Sequence, residues 1–175
     1  VELLDSRLEN TGYFHATVSG DTVVKKKRAK AEYEATAGPR YSIAEVFYPD
    51  DSSVIAKTIY EAAENTLFKP GDPYDLDIIK TERLRIDAYL KERGFYYFDD
   101  SYILVQVDSS IGNHQVNMYI RVKPETPDNA RRVYTMNDIF VYSNYSLATA
   151  QEDTNKSNAV FYEGYYVADK ENKYK

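Results

Sequence analysis

"GDPYDLDIIKTERLRIDAYLKERGFYYF", residues 71–98, holds a breaker cluster, a helix and a stop. Pro70, Gly71 and Pro73 end whatever precedes them, and Asp75 stands where an N-cap carboxylate satisfies the first free N–H groups of a helix. With Asp75 as cap, Tyr74 and Ile79 take the two positions of a hydrophobic staple. Leu76, Ile79, Ile86 and Leu90 then share one stripe, which predicts a helix running to about Arg93. Arg83 lies on that stripe and is expected to snorkel its head out of a helix–sheet seam. Gly94 is placed to close the helix in the left-handed conformation, and Phe95 to Phe98 are expected to restart the chain as a strand whose rings cover the helix end.

Upstream, Asp51 and Ser52 are suited to cap a short amphipathic helix carrying Ile55, Ile59, Ala62 and Ala63 at helical spacing. Before it, "YSIAEVFYP" is rich in residues that favour strands and stops at Pro49. Downstream the period changes to two. Ile103, Val105 and Val107 alternate in one run; Val116, Met118, Ile120 and Val122 alternate in the next, opposite Asn117, Tyr119, Arg121 and Lys123. The joining "DSSIGN" has the residues of a hairpin loop. From about 40 to 124 the order is therefore strand, helix, helix, strand, strand.

That order is echoed along the chain. "RLENTGYFHATVSG" near the start matches "YLKERGFYYFDDSY": Gly12 falls with Gly94, Tyr13 with Phe95, and Phe14 with Tyr96. "YSIAEVF" matches "YTMNDIF" at every position from Tyr41/Tyr134 to Phe47/Phe140. Residues 1–38 then read as the helix and hairpin that end a first module, 39–126 as a complete module, and 127–175 as the start of a further one. In that last segment "SNYSLATAQEDTNKSNA" is expected to be a long loop, and "VFYEGYYVAD" a strand folding back onto the first. The fold class expected is α+β, each module packing two helices on one face of a three-stranded mixed sheet.

Composition narrows the function. Charged residues are 29%, apolar residues 43% and the net charge is −6, which fits folded, soluble material and argues against nucleic-acid binding. Lys25, Lys26, Lys27 and Arg28 form the one basic run, expected to be a solvated hairpin tip. The absence of cysteine excludes disulfides and thiolate metal sites. No apolar run approaches the roughly 18 residues of a membrane span. Because the chain opens on Val1 and "NKYK" follows no obvious stop, it is expected to be a piece of something longer. His15 and His114 have no carboxylate spaced to make a metal site with them. Asp75 and Asp77 sit where the helix dipole favours carboxylates, and Asp99, Asp100 and Asp108 scatter about a strand and its turn. Without a nucleophile motif, phosphate loop or HExxH, an enzyme is not expected, nor a cofactor.

The ordered combination resembles POTRA (polypeptide-transport-associated) domains, over most of residues 1–142. It is carried by residues 71–98 and by "AGPRYSIAEVFY", whose Gly38-Pro39-Arg40-Tyr41-x-Ile43 run is typical of a junction between two such domains. The resemblance implies tandem modules in the periplasm of a Gram-negative bacterium, ahead of an outer-membrane barrel of the BamA or TamA type. It implies as partners unfolded outer-membrane protein clients, neighbouring POTRA domains and other subunits of the assembly machine. In such domains the hairpin's returning strand is central, so residues from about Tyr102 to Asp108 would form a free edge able to accept an extended client, with Tyr102, Leu104 and Gln106 projecting away from the helices. A two-partner secretion transporter or a cell-division scaffold carries the same modules. From a different class, eighteen tyrosines raise a carbohydrate-binding or adhesive surface module; that reading needs tyrosines gathered on one sheet face.

Overall fold

Asp75 caps the long helix as its sequence requires, its carboxylate accepting the Asp77 N–H at 2.9 Å. The structure, a computed structural model, describes residues 1–143, 145–149, 156 and 159–169. Two helices cover one face of a three-stranded sheet: β3 (Ser42–Phe47), α2 (Val54–Ala62), α3 (Leu76–Glu92), β4 (Ile103–Asp108) and β5 (Gln115–Val122) follow α1 (Glu2–Asn10), β1 (Thr17–Lys25) and β2 (Arg28–Thr36). The sheet order is β3-β5-β4, with β5 parallel to β3 and antiparallel to β4. Ser53, not Asp51 or Ser52, caps α2, because its Oγ reaches the Ala56 N–H at 3.2 Å while Asp51 holds the Ser53 N–H at 2.8 Å.

The core lies between helices and sheet. Ile59, Ile86, Leu90, Phe95, Ile103, Val116, Met118 and Ile120 are essentially buried. Strict alternation in β3 would put Glu45 on the same face as Ile43. A register shift between Ile43 and Glu45 leaves Ala44 unmatched, so Glu45 is exposed and Val46 packs against the core instead.

On α3 the buried stripe is Ile79, Glu82, Ile86 and Leu90. Arg83 lies beside it, half-buried, and donates from Nε and Nη2 to the Asp100 carbonyl at 3.1 and 2.8 Å. The fully buried Glu82 carboxylate takes two charge-assisted bonds from Arg85, both 2.8 Å, and further bonds from Thr66 Oγ1 at 2.8 Å and the Leu67 N–H at 3.1 Å. Arg85 also donates to the Ala62 carbonyl at the end of α2, 2.8 Å away. One carboxylate thus ties α3 to α2 and to the segment joining them.

The helices α1 and α3 end in the same way. Gly12 and Gly94 have φ of 92° and 91°; Tyr13 N–H bonds to Leu8 O and Phe95 N–H to Leu90 O, while Gly12 bonds to Glu9 and Gly94 to Lys91. This is the Schellman pairing, which gives the last carbonyls of a helix their donors. Phe95 to Phe98 do not form a strand: after Gly94 the backbone turns, the Phe98 N–H bonding to Phe95 O at 3.0 Å. Phe95 and Phe98 are buried, whereas Tyr96 and Tyr97 are 71% and 51% exposed. The strand begins only at Ile103.

The chain divides into two compact units, Val1–Val133 and Tyr134 onward. Residues 127–133, expected to open the third module, pack in the first unit: Ala130 is buried in its core, and Arg131 donates to the Lys123 and Thr126 carbonyls at 2.8 and 3.1 Å. In the second unit β6 (Phe140–Tyr142), β7 (Val160–Tyr162) and β8 (Tyr165–Ala168) form a sheet of order β6-β8-β7, with β8 parallel to β6 and antiparallel to β7. "VFYEGYYVAD" is thus a hairpin whose second strand returns to the first. Most of the expected long loop lies outside the described residues.

Two substitutions test the Glu82 centre. Glu82→Ala strips partners from Arg85, Thr66 and Leu67, and is expected to lower unfolding free energy in urea by about 3 kcal/mol. Thr66 lies beside Tyr48, yet the buried Tyr48 hydroxyl makes no hydrogen bond of normal geometry. Burial raises its pKa above the ordinary value near 10. The folded state therefore holds this proton more tightly than the unfolded state does. Stability is fully present below the ordinary tyrosine range and is lost as pH climbs through the raised value. Tyr48→Phe is expected to stabilise by about 1 kcal/mol at neutral pH and to reduce the alkaline loss, read as Tm across pH 8 to 11.

Candidate functional site

β4 is an edge strand, bonded within its sheet to β5 alone. The Lys123 N–H donates to the Tyr102 carbonyl at 2.9 Å, which fixes the phase of the antiparallel ladder. Bonded and non-bonded positions alternate in such a pair. Leu104, Gln106 and Asp108, opposite Arg121, Tyr119 and Asn117, therefore direct their N–H and C=O groups at β5. Val105 and Val107 direct theirs outward, whereas the outward Ile103 N–H is already taken by the Asp100 carbonyl.

The side chains alternate the other way. Ile103 is buried, and Val105 and Val107 pack against the core on the helix side. Leu104, 40% exposed, and Gln106 lie on the open face. Tyr102 does not project with them. It sits in the turn before β4, packed on the core with its ring edge-on to Phe98 at 5.7 Å. Hydrogen bonds from Ser101 lower the Asp99 carboxyl pKa at one end of the strand, as those from Ser110 lower that of Asp108 at the other.

The opposite edge is different. Where β3 faces away from β5, the Ile43 N–H donates to Asp72 O at 2.8 Å and the Ile43 carbonyl accepts from Gly71 N–H at 2.7 Å, beside a bridge between Ser42 and Pro73. The Pro70–Pro73 breaker covers the start of that edge, at Ser42 and Ile43. On the open face Phe47 stacks on Tyr119, rings 4.8 Å apart and 11° from parallel, and in the second unit Phe140 stacks on Tyr166 at 4.8 Å and 16°. Each pair is also a register pair between parallel strands.

Of the residues expected at repeat joints, Phe14 and Tyr41 meet around Gly12. Tyr41 N–H donates to Gly12 O at 2.8 Å, Tyr74 N–H to Tyr41 O at 2.9 Å, and Arg40 Nε to Thr11 O at 2.7 Å. The Phe14 ring lies 4.9 Å from both Tyr41 and Tyr74. His15 Nε2 is 3.0 Å from the Tyr41 hydroxyl, and the exposed His114 meets the Tyr41 ring edge-on at 5.5 Å. Both histidines thus flank one tyrosine across the fold, a proximity that sequence spacing did not signal. Among the described residues no three His, Asp or Glu side chains gather as a metal site. Tyr96 lies in an exposed turn, and Tyr134 belongs to the second unit. Among the described residues the tyrosines are not all gathered on one face: Tyr41 and Tyr74 are buried, while Tyr119 lies on the open face.

No protein-family model matches the chain, and no curated protein matches it significantly. Solved structures do. POTRA domains 3–5 of Haemophilus influenzae BamA are 17% identical, with 70% of this chain and 45% of that chain covered at a TM-score of 0.41. BamA of Haemophilus ducreyi lacking POTRA domains 1–3 is 15% identical, with 70% and 22% covered at a TM-score of 0.45. The chain is similar to BamA POTRA domains. It spans less than half the length of either structure. No helix among the described residues is long and apolar enough to cross a membrane.

The tight packing at the joint gives a matched pair of substitutions. A Cβ on Gly12 would lie 3.1 Å from Tyr74 O and 3.2 Å from Tyr41 O, whereas one on Gly71, with the same φ of 92°, meets nothing within 4 Å. Gly71→Ala is expected to cost about 1 kcal/mol from backbone strain alone, and Gly12→Ala about 3 kcal/mol, by chemical denaturation.

Proposed function

We propose that this chain is a non-enzymatic polypeptide-binding and docking module of an outer-membrane protein assembly or translocation machine, standing in the periplasm. Unfolded clients or partner proteins add a strand to the outer edge of β4. The observation that carries this reading is the asymmetry of the sheet: on β3 the outer N–H and C=O of Ile43 are taken by Asp72 and Gly71, while Val105 and Val107 present theirs along β4. Recognition through backbone groups tolerates many client sequences, as a general handler of barrel strands requires.

The ladder phase decides where a proline tests this. At Leu104 the N–H serves β5, so a proline there would damage the sheet itself. At Val105 proline removes an outward donor and adds bulk at the edge, which an edge strand tolerates. Val105→Pro is expected to keep its circular dichroism spectrum and to weaken binding of an unfolded outer-membrane barrel protein at least about tenfold, the equivalent of about 1.4 kcal/mol. Leu104→Ser, which changes only an open-face side chain, should bind within about twofold of the parent. Unchanged affinity in Val105→Pro would exclude strand addition at β4.

A further inference from the structure

The basic run singled out in the sequence stands at the far end of an isolated ribbon. β1 and β2 pair over nine rungs from Thr17–Thr36 to Lys25–Arg28, a reach of about 30 Å at roughly 3.3 Å per residue. Every residue from 19 to 36 is exposed. Charge is segregated along it. Asp21 and Glu32 face each other on one rung; from Thr22 to Ala31, beyond them, there is no acidic residue and there are five basic ones. Lys30 pairs with Glu32 at 2.6 Å, while Lys25, Lys26, Lys27 and Arg28 have no ion-pair partner among the described residues. This concentration sits on a chain whose net charge is −6.

The tip also has an apolar side. The register places Thr22 opposite Ala31 and Val24 opposite Ala29 on one face, while Val23, Lys25, Arg28 and Lys30 share the other. Val24 is 68% and Val23 49% exposed. A solvated tip needs charge alone. Exposed valines flanked by four unpaired cations are the pairing that suits an interface with anionic headgroups above and acyl carbons beneath.

We infer that the β1–β2 tip docks on an anionic lipid bilayer surface, Lys25 to Arg28 lying against the headgroups and Val24 with Ala29 entering the headgroup boundary. This contact is independent of the β4 edge and uses none of its residues. The test is co-sedimentation of the whole chain with phosphatidylglycerol–phosphatidylcholine vesicles, pure phosphatidylcholine vesicles and soluble polyglutamate, at low and physiological salt. The expected result is binding to the anionic vesicles alone, weakening with salt as the charges are screened. Lys25→Glu with Lys27→Glu should reduce it at least about a hundredfold, and Val24→Ser by several-fold, with spectra unchanged because every altered side chain is exposed. No binding to anionic vesicles, equal binding to neutral ones, or full binding by the charge-reversed variant would overturn the inference. Equal affinity for polyglutamate, or no effect of Val24→Ser, would assign the tip to anions in general and overturn the bilayer.

Discussion

A carboxylate with no exposed surface holds this module together. Glu82 sits where the periodicity of α3 calls for an apolar side chain, and a charge there is stable only if its oxygens are fully supplied with donors. Arg85, Thr66 and the Leu67 N–H supply them. The consequence is geometric. Thr66 and Leu67 lie in the connection after α2, so their angle to α3 is set by short, directional bonds, and Phe68, whose N–H rests on Thr66 Oγ1 at 3.2 Å, is carried into the core. The next residues, Gly71 to Pro73, are the ones that cover the outer edge of β3 at Ser42 and Ile43. The polar centre and the closed edge are therefore one continuous piece of chain, and the open edge on the other side of the sheet is what remains.

Much of this was legible in the sequence because local signals and tertiary demands agree. The Asp75 cap, the alternation of β4 and β5, and the glycine stops at Gly12 and Gly94 each have a local cause, and each was read correctly. What escaped depends on partners distant in sequence. Glu82 and Arg83 are adjacent charges on one helix, and nothing local says which turns inward. Bonds from Thr66 and Leu67, sixteen and fifteen residues back, decide it. Apolar rings at Phe95 to Phe98 suggested a strand, but two buried phenylalanines around two exposed tyrosines suit a turn just as well. The bulge at Ala44 is equally silent, since strict alternation assigns Glu45 to the face of Ile43 and no local signal marks the extra residue.

The candidate edge shows the same limit. Period two identifies which side chains share a face, and it placed Leu104 and Gln106 on the open side. It carries no information on which backbone groups are already bonded, because that phase is fixed by the Tyr102–Lys123 contact. Sequence reasoning named side chains, while the groups available for pairing belong to Val105 and Val107. The internal echo proved more informative. Phe47 and Phe140 correspond by sequence, and each stacks on a tyrosine of the neighbouring parallel strand, so the correspondence extends to the contacts each residue makes.

The covered edge of β3 has a further effect on how such a sheet can grow. A sheet open on both sides has two places for addition and can propagate into a fibre. Closing one side leaves a valence of one. Two such sheets meeting through their β4 edges would satisfy each other and stop at a closed pair. If β4 accepts a strand, the few residues from Pro70 to Pro73 that hold Ile43 would separate that acceptance from polymerisation.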